Sequence, residues 1–191
     1  MESTTSTAAP FLTRVEQPTG FLWKLSYYFM RKKFGKVMTP ASVFSVRMPL
    51  AFTSFYAKIG KLDKKLDLPA DLVVLVREQV ASVNQCHFCM DTNKAAAIEK
   101  AKDSLAKIEA LAAYRTSPLF GDAERVALDY ATELTTTKAV SRATVEELKR
   151  HYNDRQVCDL VWLVSSEHLY NINNIGLNIG SDGFCEILTR K

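Results

Sequence analysis

The chain is poor in the residues that punctuate irregular and strand-rich folds, with only seven glycines and six prolines in 191 residues. Folds made of many short strands need frequent glycine turns, and no stretch shows the apolar–polar alternation of a half-buried strand. Long hydrophobic runs are missing too: none reaches the roughly eighteen residues a membrane span needs. No basic segment leads into an apolar one near the start, so no secretory signal is expected. A cytoplasmic location follows as an expectation, and reduced thiols suit that compartment. Charge of one sign is also scarce: the net charge is +4 and basic residues are mixed with acids, leaving no stripe for a nucleic-acid partner. Histidine is scarce as well, with three copies. A structural zinc site needs about four ligands at short spacing. Cys158 and Cys185 stand apart, as do His151 and His168, so neither a metal nor any other cofactor is expected.

What is present is an ordinary apolar content, 47% of residues, enough for one well-buried domain. Its organising stretch is Leu66 to Lys100. Asp67 is placed to cap a helix with Pro69 in its first turn, predicting a helix from about Leu68 to Val83. Asn84-Gln85 breaks the apolar pattern, and Asp91 to Lys100, rich in alanine, reads as a second helix. Cys86 and Cys89 fall at the break, with Cys89 in or near the first turn of the second helix. Unpaired N–H groups and partial positive charge at a helix start favour a thiolate. Three-residue spacing brings both side chains to one side of the turn, where a disulfide can close and reopen. The pair has the parts of a redox couple.

Elsewhere the pattern is helix after helix. Met1 to Pro10 is too polar to hold a core and is expected to be mobile. Phe21 to Phe34 carries aromatics followed by Arg31-Lys32-Lys33, reading as a helix that packs its rings on its own domain or a neighbouring subunit, with Gly35 as its stop. A helix is expected from Thr39-Pro40, interrupted at Pro49 and resumed to Ile59. Gly60 to Lys65 reads as a solvated connector. Apolar spacing predicts further helices over Ser104 to Tyr114 and from Asp122 to the threonines 135–137, then one capped by Ser141 or by Thr144 with Glu147. The last long helix is expected from Asp154 to Asn173, with Val157, Leu160, Val161, Val164 and Leu169 at core positions and Cys158 as a small buried residue. Glu167 and His168 on it are polar groups in an apolar segment; left unpaired in a core each would cost about 1–3 kcal/mol, so partners are expected. The expected fold is all-α, a helical bundle preceded by a helical extension, divided as a flexible N-terminus (1–15), the extension (16–65) and the main helical domain (66–191).

An apolar helix beginning Leu68-Pro69, Asn84 before Cys86, the Cys86–Cys89 pair and an alanine-rich helix after it resemble the carboxymuconolactone decarboxylase-like superfamily, particularly its alkylhydroperoxidase D branch. The C-terminal run with Glu167-His168-Leu169-Tyr170-Asn171 and Leu177 to Cys185 resembles the close of its members, so the likeness spans roughly Met48 to Cys185. It implies the alkylhydroperoxidase D-like bundle, a homo-oligomer, and a thiol-dependent antioxidant or disulfide reductase acting on a peroxide or other small molecule and recharged by a lipoyl-bearing or thioredoxin-like protein. Departures are specific. Peroxidatic members carry Glu, His and His where this chain has Val74, Phe88 and Asn93. Glu78, one turn after Val74, leaves a carboxylate on the same helix face, and His87 is displaced by one residue from the His position.

On this reading Cys89 attacks, Cys86 resolves, Glu78 exchanges the proton, and His168 or Glu167 supplies part of the missing relay. Two alternatives stand beside it. One is a lyase or isomerase of the decarboxylase branch acting on a small lactone or carboxylate, with His168, Glu78 and Arg77 as candidates. The other is a non-catalytic oligomeric scaffold or small-ligand binder.

Overall fold

A computed structural model describes residues 9–100 and 104–189, with the side chains of 99, 100 and 189 left aside. Most of the expected mobile N-terminus, residues 1–8, lies outside the described residues. The described residues contain helices and no strand. Helix α1 spans Phe21–Phe34 and stops at Gly35, whose φ of 74° only glycine adopts without strain and whose N–H bonds back to Arg31. Two π-helical segments follow, Ala41–Ser45 and Ala51–Tyr56, the second running straight into α2, Ala57–Asp63. Then come α3 (Ala70–Val83), α4 (His87–Lys100), α5 (Ser104–Glu109), a 3₁₀ turn (Leu111–Ala113), α6 (Asp122–Thr137), α7 (Arg142–Leu148), α8 (Asp154–Gly176) and α9 (Phe184–Thr189).

Helix α3 is the centre, packed against α4, α6 and α8. Its buried Leu72, Leu75, Val76, Gln79 and Val80 recur at three and four residues and meet Leu128 and Ala131 of α6 and Leu160, Leu163 and Val164 of α8. A second apolar cluster surrounds the cysteines, with Val43, Ala81, Phe88, Ile179 and Phe184. Phe184 enters it because Asp91 anchors the start of α9: its carboxylate accepts from the N–H groups of Asp182 (3.1 Å), Phe184 (2.9 Å) and Cys185 (2.9 Å). Asp182 in turn accepts from the Thr39 N–H at 2.7 Å and its hydroxyl at 2.6 Å, with Arg14 and Lys36 beside it. The C-terminal turn is thereby clamped to the N-terminal segment.

Several local expectations are corrected. Asp67 does not cap α3. Its N–H donates instead to Asp159 at 2.7 Å, and Pro69, in an extended conformation, precedes the first helical residue, Ala70. Gly60 to Asp63 is helical rather than a loop, and Asp63 is held by Arg77 (2.7 Å) and by the Trp162 indole (2.9 Å). Ser104 to Tyr114 is split into α5 and the 3₁₀ turn. Of the two caps expected for α7, Ser141 is the one used, accepting from the Thr144 N–H. Helix α8 continues past Asn173 to Gly176. Cys158 is exposed and Val161 is 40% exposed, because both lie on the outer side of α8. On α1, Tyr27 is buried with its hydroxyl on the Val15 carbonyl (2.9 Å), and Trp23 packs on Phe52, while Phe21, Leu22, Tyr28 and Phe29 remain exposed.

Candidate active site

The junction between α3 and α4 builds the site. Helix α3 ends at Asn84, and Gln85 turns the chain through a φ of 57°, a left-handed conformation uncommon for a side-chain-bearing residue. Cys86 follows immediately, its N–H bonded to the Ala81 carbonyl and its carbonyl accepting from Met90, both at 2.9 Å. Cys86 therefore stands at the start of α4 and Cys89 lies in its first turn, where N–H groups without intrahelical partners favour a negative sulfur. The two sulfurs are bonded to each other, with 5.3 Å between the Cα atoms, and both residues are buried.

The sulfurs open in different directions. Cys89 lines a cavity of about 460 Å³. Aromatic rings dominate its wall: Phe44, Phe52 and Tyr56 from the N-terminal segment, Phe88 from α4 and Tyr170 from α8. Tyr56 and Tyr170 stack with centroids 5.3 Å apart, and burial pushes the Tyr170 hydroxyl up to about 12, so it stays protonated. Asn173 donates to the Tyr56 hydroxyl and fixes that ring. Cys86 instead faces a smaller cavity of about 90 Å³ beside Gln85, His87, Asn178 and Gly180.

Polar groups converge behind the sulfurs. Asn174 of α8 points its amide nitrogen at Cys89 Sγ (3.4 Å) and Cys86 Sγ (4.0 Å). Glu167, buried one helical turn before Asn171, accepts from Asn171 at 2.9 Å and from Arg77 at 2.6 Å. Asn84 donates to Asn171 at 2.9 Å and lies 3.3 Å from His168 Nδ1. A continuous polar chain thus runs from His168 through Asn84, Asn171, Glu167 and Arg77 to Asp63 and Trp162.

Glu78 is 2% exposed, and Lys94 Nζ lies 4.0 Å from its Oε1. Burial pushes its carboxyl up to about 8; Lys94 and the nearby Asn93 oppose the rise, and the carboxylates of Glu167 and Asp91 add to it. His168 is held below the usual histidine range by burial first and by the Lys138 charge second, so its ring is neutral at pH 7. Glu78 and His168 are not among the residues lining the Cys89 cavity, whereas Glu167, Arg77 and Asn93 are. The family relay positions have other duties here: Val74 packs against the main core, Phe88 and Asn93 line the cavity. Sequence reading singled out both cysteines and Glu78 but passed over Asn174, Asn171 and Asp91. The signal was available: Glu167, Asn171 and Asn174 repeat at four and three residues, a polar stripe along one face of an otherwise apolar helix. Among the described residues no group of three or more His, Cys, Asp or Glu is arranged to hold a metal ion, and no helix is long and apolar enough to cross a membrane.

No family model matches the chain. It is 32% identical over 164 residues to YnjA of Escherichia coli K12, itself uncharacterised, covering 84% of this chain and 88% of that one. Among solved structures it resembles a variant of the debrominase Bmp8 in complex with 2,3,4-tribromopyrrole, with a TM-score of 0.76 and 16% identity across 99% of this chain and 98% of the other. It also resembles an uncharacterised peroxidase-related protein from Ralstonia eutropha JMP134 described as an alkylhydroperoxidase AhpD core, with a TM-score of 0.71 and 20% identity across 93% and 96%. With a relative at that identity over most of both chains, the chain belongs to the same family as YnjA, and its helical fold around a Cys-x-x-Cys pair is the alkylhydroperoxidase D-like one.

Proposed function

We propose that this protein is a thiol-dependent oxidoreductase that reduces a peroxide or a comparable small acceptor, with Cys89 attacking and Cys86 resolving. The observation that carries the reading is the bonded sulfur pair at the start of α4, one member of which opens onto an aromatic-walled cavity. In the reduced form, Cys89 thiolate attacks the outer oxygen of a hydroperoxide; the O–O bond breaks, the sulfur becomes a sulfenic acid and the alkoxide takes up a proton. Cys86 then attacks Cys89, the disulfide forms and water leaves. Two electrons and two protons from a dithiol donor, a lipoyl-bearing or thioredoxin-like protein by family likeness, restore the thiols.

Glu78 fits the proton exchange. A carboxyl titrating near pH 8 is largely protonated at neutrality yet readily surrenders its proton. Asn174 supplies an N–H to the Cys89 sulfur. His168, neutral and turned to Asn84, is assigned the orientation of the polar chain rather than proton transfer. The lyase reading draws less support, since the cavity's cation, Arg77, is engaged by Glu167 and Asp63 and is poorly placed to hold an anion. A second acceptor class has an observation in its favour: the likeness to a debrominase crystallised with a halogenated ring, together with the aromatic wall, suits an aryl halide as oxidant of the same pair.

Single-turnover peroxide consumption by reduced protein tests the main reading. Cys89→Ser is expected to abolish it, and Cys86→Ser to leave one turnover ending in a sulfenic acid visible by mass. Unchanged consumption in Cys89→Ser would refute the assignment.

A further inference from the structure

The net charge of +4 conceals an asymmetry. Residues 20–65 hold ten of the chain's 25 Lys and Arg residues and only one of its 21 Asp and Glu residues, Asp63, so the rest of the chain is net acidic. That one carboxylate is already engaged by Arg77. The same segment carries nine of the fifteen large apolar side chains that are exposed among the described residues.

Helix α1 shows how the two features combine. Its inner side faces the protein, with Tyr27 buried and Trp23 packed on Phe52. On the opposite side Phe21, Leu25, Tyr28 and Phe29 recur at three and four residues and are between 39% and 76% exposed. By helical spacing Lys24 and Arg31 flank that row and Lys32 closes its end, all three exposed. Beside α1, Phe21, Leu22, Trp23, Pro49 and Phe52 line an apolar groove of about 410 Å³. Leu50, 77% exposed, stands on the segment that forms its other bank. Phe52 also walls the Cys89 cavity, so groove and cavity share a side chain.

Exposed apolar surface of this extent marks a binding face, and its basic rim calls for an anionic partner. An apolar helix face bordered by Lys and Arg suits a helix lying in the plane of a bilayer, its rings in the headgroup layer and its cations on anionic lipid. Two copies joined face to face here would instead set basic rims against each other. No helix among the described residues is long and apolar enough to cross a bilayer, so the contact is with its surface.

We propose that the outer face of α1 and the adjoining segment around Leu50 form a docking surface for an anionic lipid bilayer. Phe21, Leu22, Phe29 and Leu50 enter the headgroup layer, Lys24 and Lys32 meet the lipid phosphates, and the Cys89 cavity lies next to the docked groove with Phe52 common to both. The proposal stands apart from the thiol reading, since its test does not involve the sulfurs.

Full-length protein is floated on a density gradient with vesicles of equal parts phosphatidylcholine and phosphatidylglycerol, and with vesicles of phosphatidylcholine alone. Binding is expected to the mixed vesicles and to be at least about tenfold weaker to the neutral ones. Raising salt from about 0.1 M to about 1 M shortens the screening length from about 10 Å to about 3 Å and should release most of the bound protein. Leu22→Ser with Phe29→Ser should lower the affinity by about a hundredfold, and Lys24→Gln with Lys32→Gln by about tenfold. Ile172→Ser, at a comparably exposed apolar position on α8, should leave it unchanged. Circular dichroism checks the fold of each variant, and Phe21→Ser with Leu50→Ser replaces the apolar pair should that pair not fold. Equal binding to both vesicle types, binding to neither, or undiminished affinity in the apolar pair overturns the proposal. Self-association by ultracentrifugation that the apolar pair abolishes, with no vesicle bound, overturns it too and makes a second copy the occupant.

Discussion

The two halves of α8 differ in what they bury: apart from Asp159 the first turns apolar side chains inward, and the second turns polar ones. The first half sends Leu160, Leu163 and Val164 into hydrocarbon, each at most 1% exposed. The second sends in Glu167, Asn171 and Asn174, between 0% and 7% exposed, where unpaired polar groups would cost about 1–3 kcal/mol each. Each of those three has a hydrogen-bond partner on α3 or α4 or along α8 itself. Hydrocarbon would fill the space as well, and buried ion pairs are often no better for stability than apolar replacements. The polar half lies beside the Cys86–Cys89 pair, which Asn174 touches and whose cavity Glu167 and Asn174 line.

Breaking each half should give separable results. The largest effect belongs to Arg77→Met, which strands the buried Glu167 carboxylate now met at 2.6 Å and removes the clasp on Asp63. A loss of about 3–5 kcal/mol is expected in denaturant melts, the range for an unpaired buried charge. Leu163→Ala in the apolar half should cost about 2–5 kcal/mol through its cavity, yet leave Cys89 alkylation at pH 7 unchanged in the folded protein. If Leu163→Ala altered the thiol as strongly as Arg77→Met, the halves would not be independent.

The contrast also explains what could be read from the sequence. Apolar spacing sufficed for α6 and most of α8, because a helix face buried in hydrocarbon writes its period directly into the residue types. The α3–α4 break was legible for the same reason in reverse, as the point where the period fails at Asn84-Gln85. Asp67 was misassigned because a capping carboxylate and one serving another contact look alike in sequence; its backbone is recruited by Asp159, far along the chain. Gly60 to Asp63 was misread as a loop because the residues that hold Asp63, Arg77 and Trp162, belong to other helices. The cavity wall drawn from Phe44, Phe52 and Tyr56 was invisible for a related reason: π-helical segments shift the side-chain period away from the spacing that marks an α-helical face.

A smaller effect separates Glu78 from both halves. Its folded pKa is raised from 4.5 to about 8, so between those values the native state holds a proton that the unfolded chain has lost. Stability contributed by the neutral carboxyl is present in full below the unfolded pKa and is lost as pH rises through the folded one. Wild-type protein should thus lose a few kcal/mol between pH 5 and pH 8 from this group. Glu78→Gln should flatten that slope, and equal slopes in the two proteins would show that the buried carboxyl is not the source.

The smallest change sharpens the comparison most. Asn174→Leu extends the hydrocarbon of the first half of α8 into the second at similar volume, and it removes a side-chain N–H placed 3.4 Å from Cys89 Sγ. Apolar packing gained against the hydrophobic cluster that holds Cys86 and Cys89 should offset the lost hydrogen bond, so the melting temperature is expected to hold or rise. The thiolate loses a donor worth about 1 kcal/mol, which makes the disulfide harder to reduce by about 20 mV for a two-electron couple. A redox titration against glutathione reads that shift directly. A stable variant with a lowered potential would show that α8 keeps its polar end for the sulfurs; an unchanged potential would return Asn174 to the packing, and with it the reason for the polar stripe.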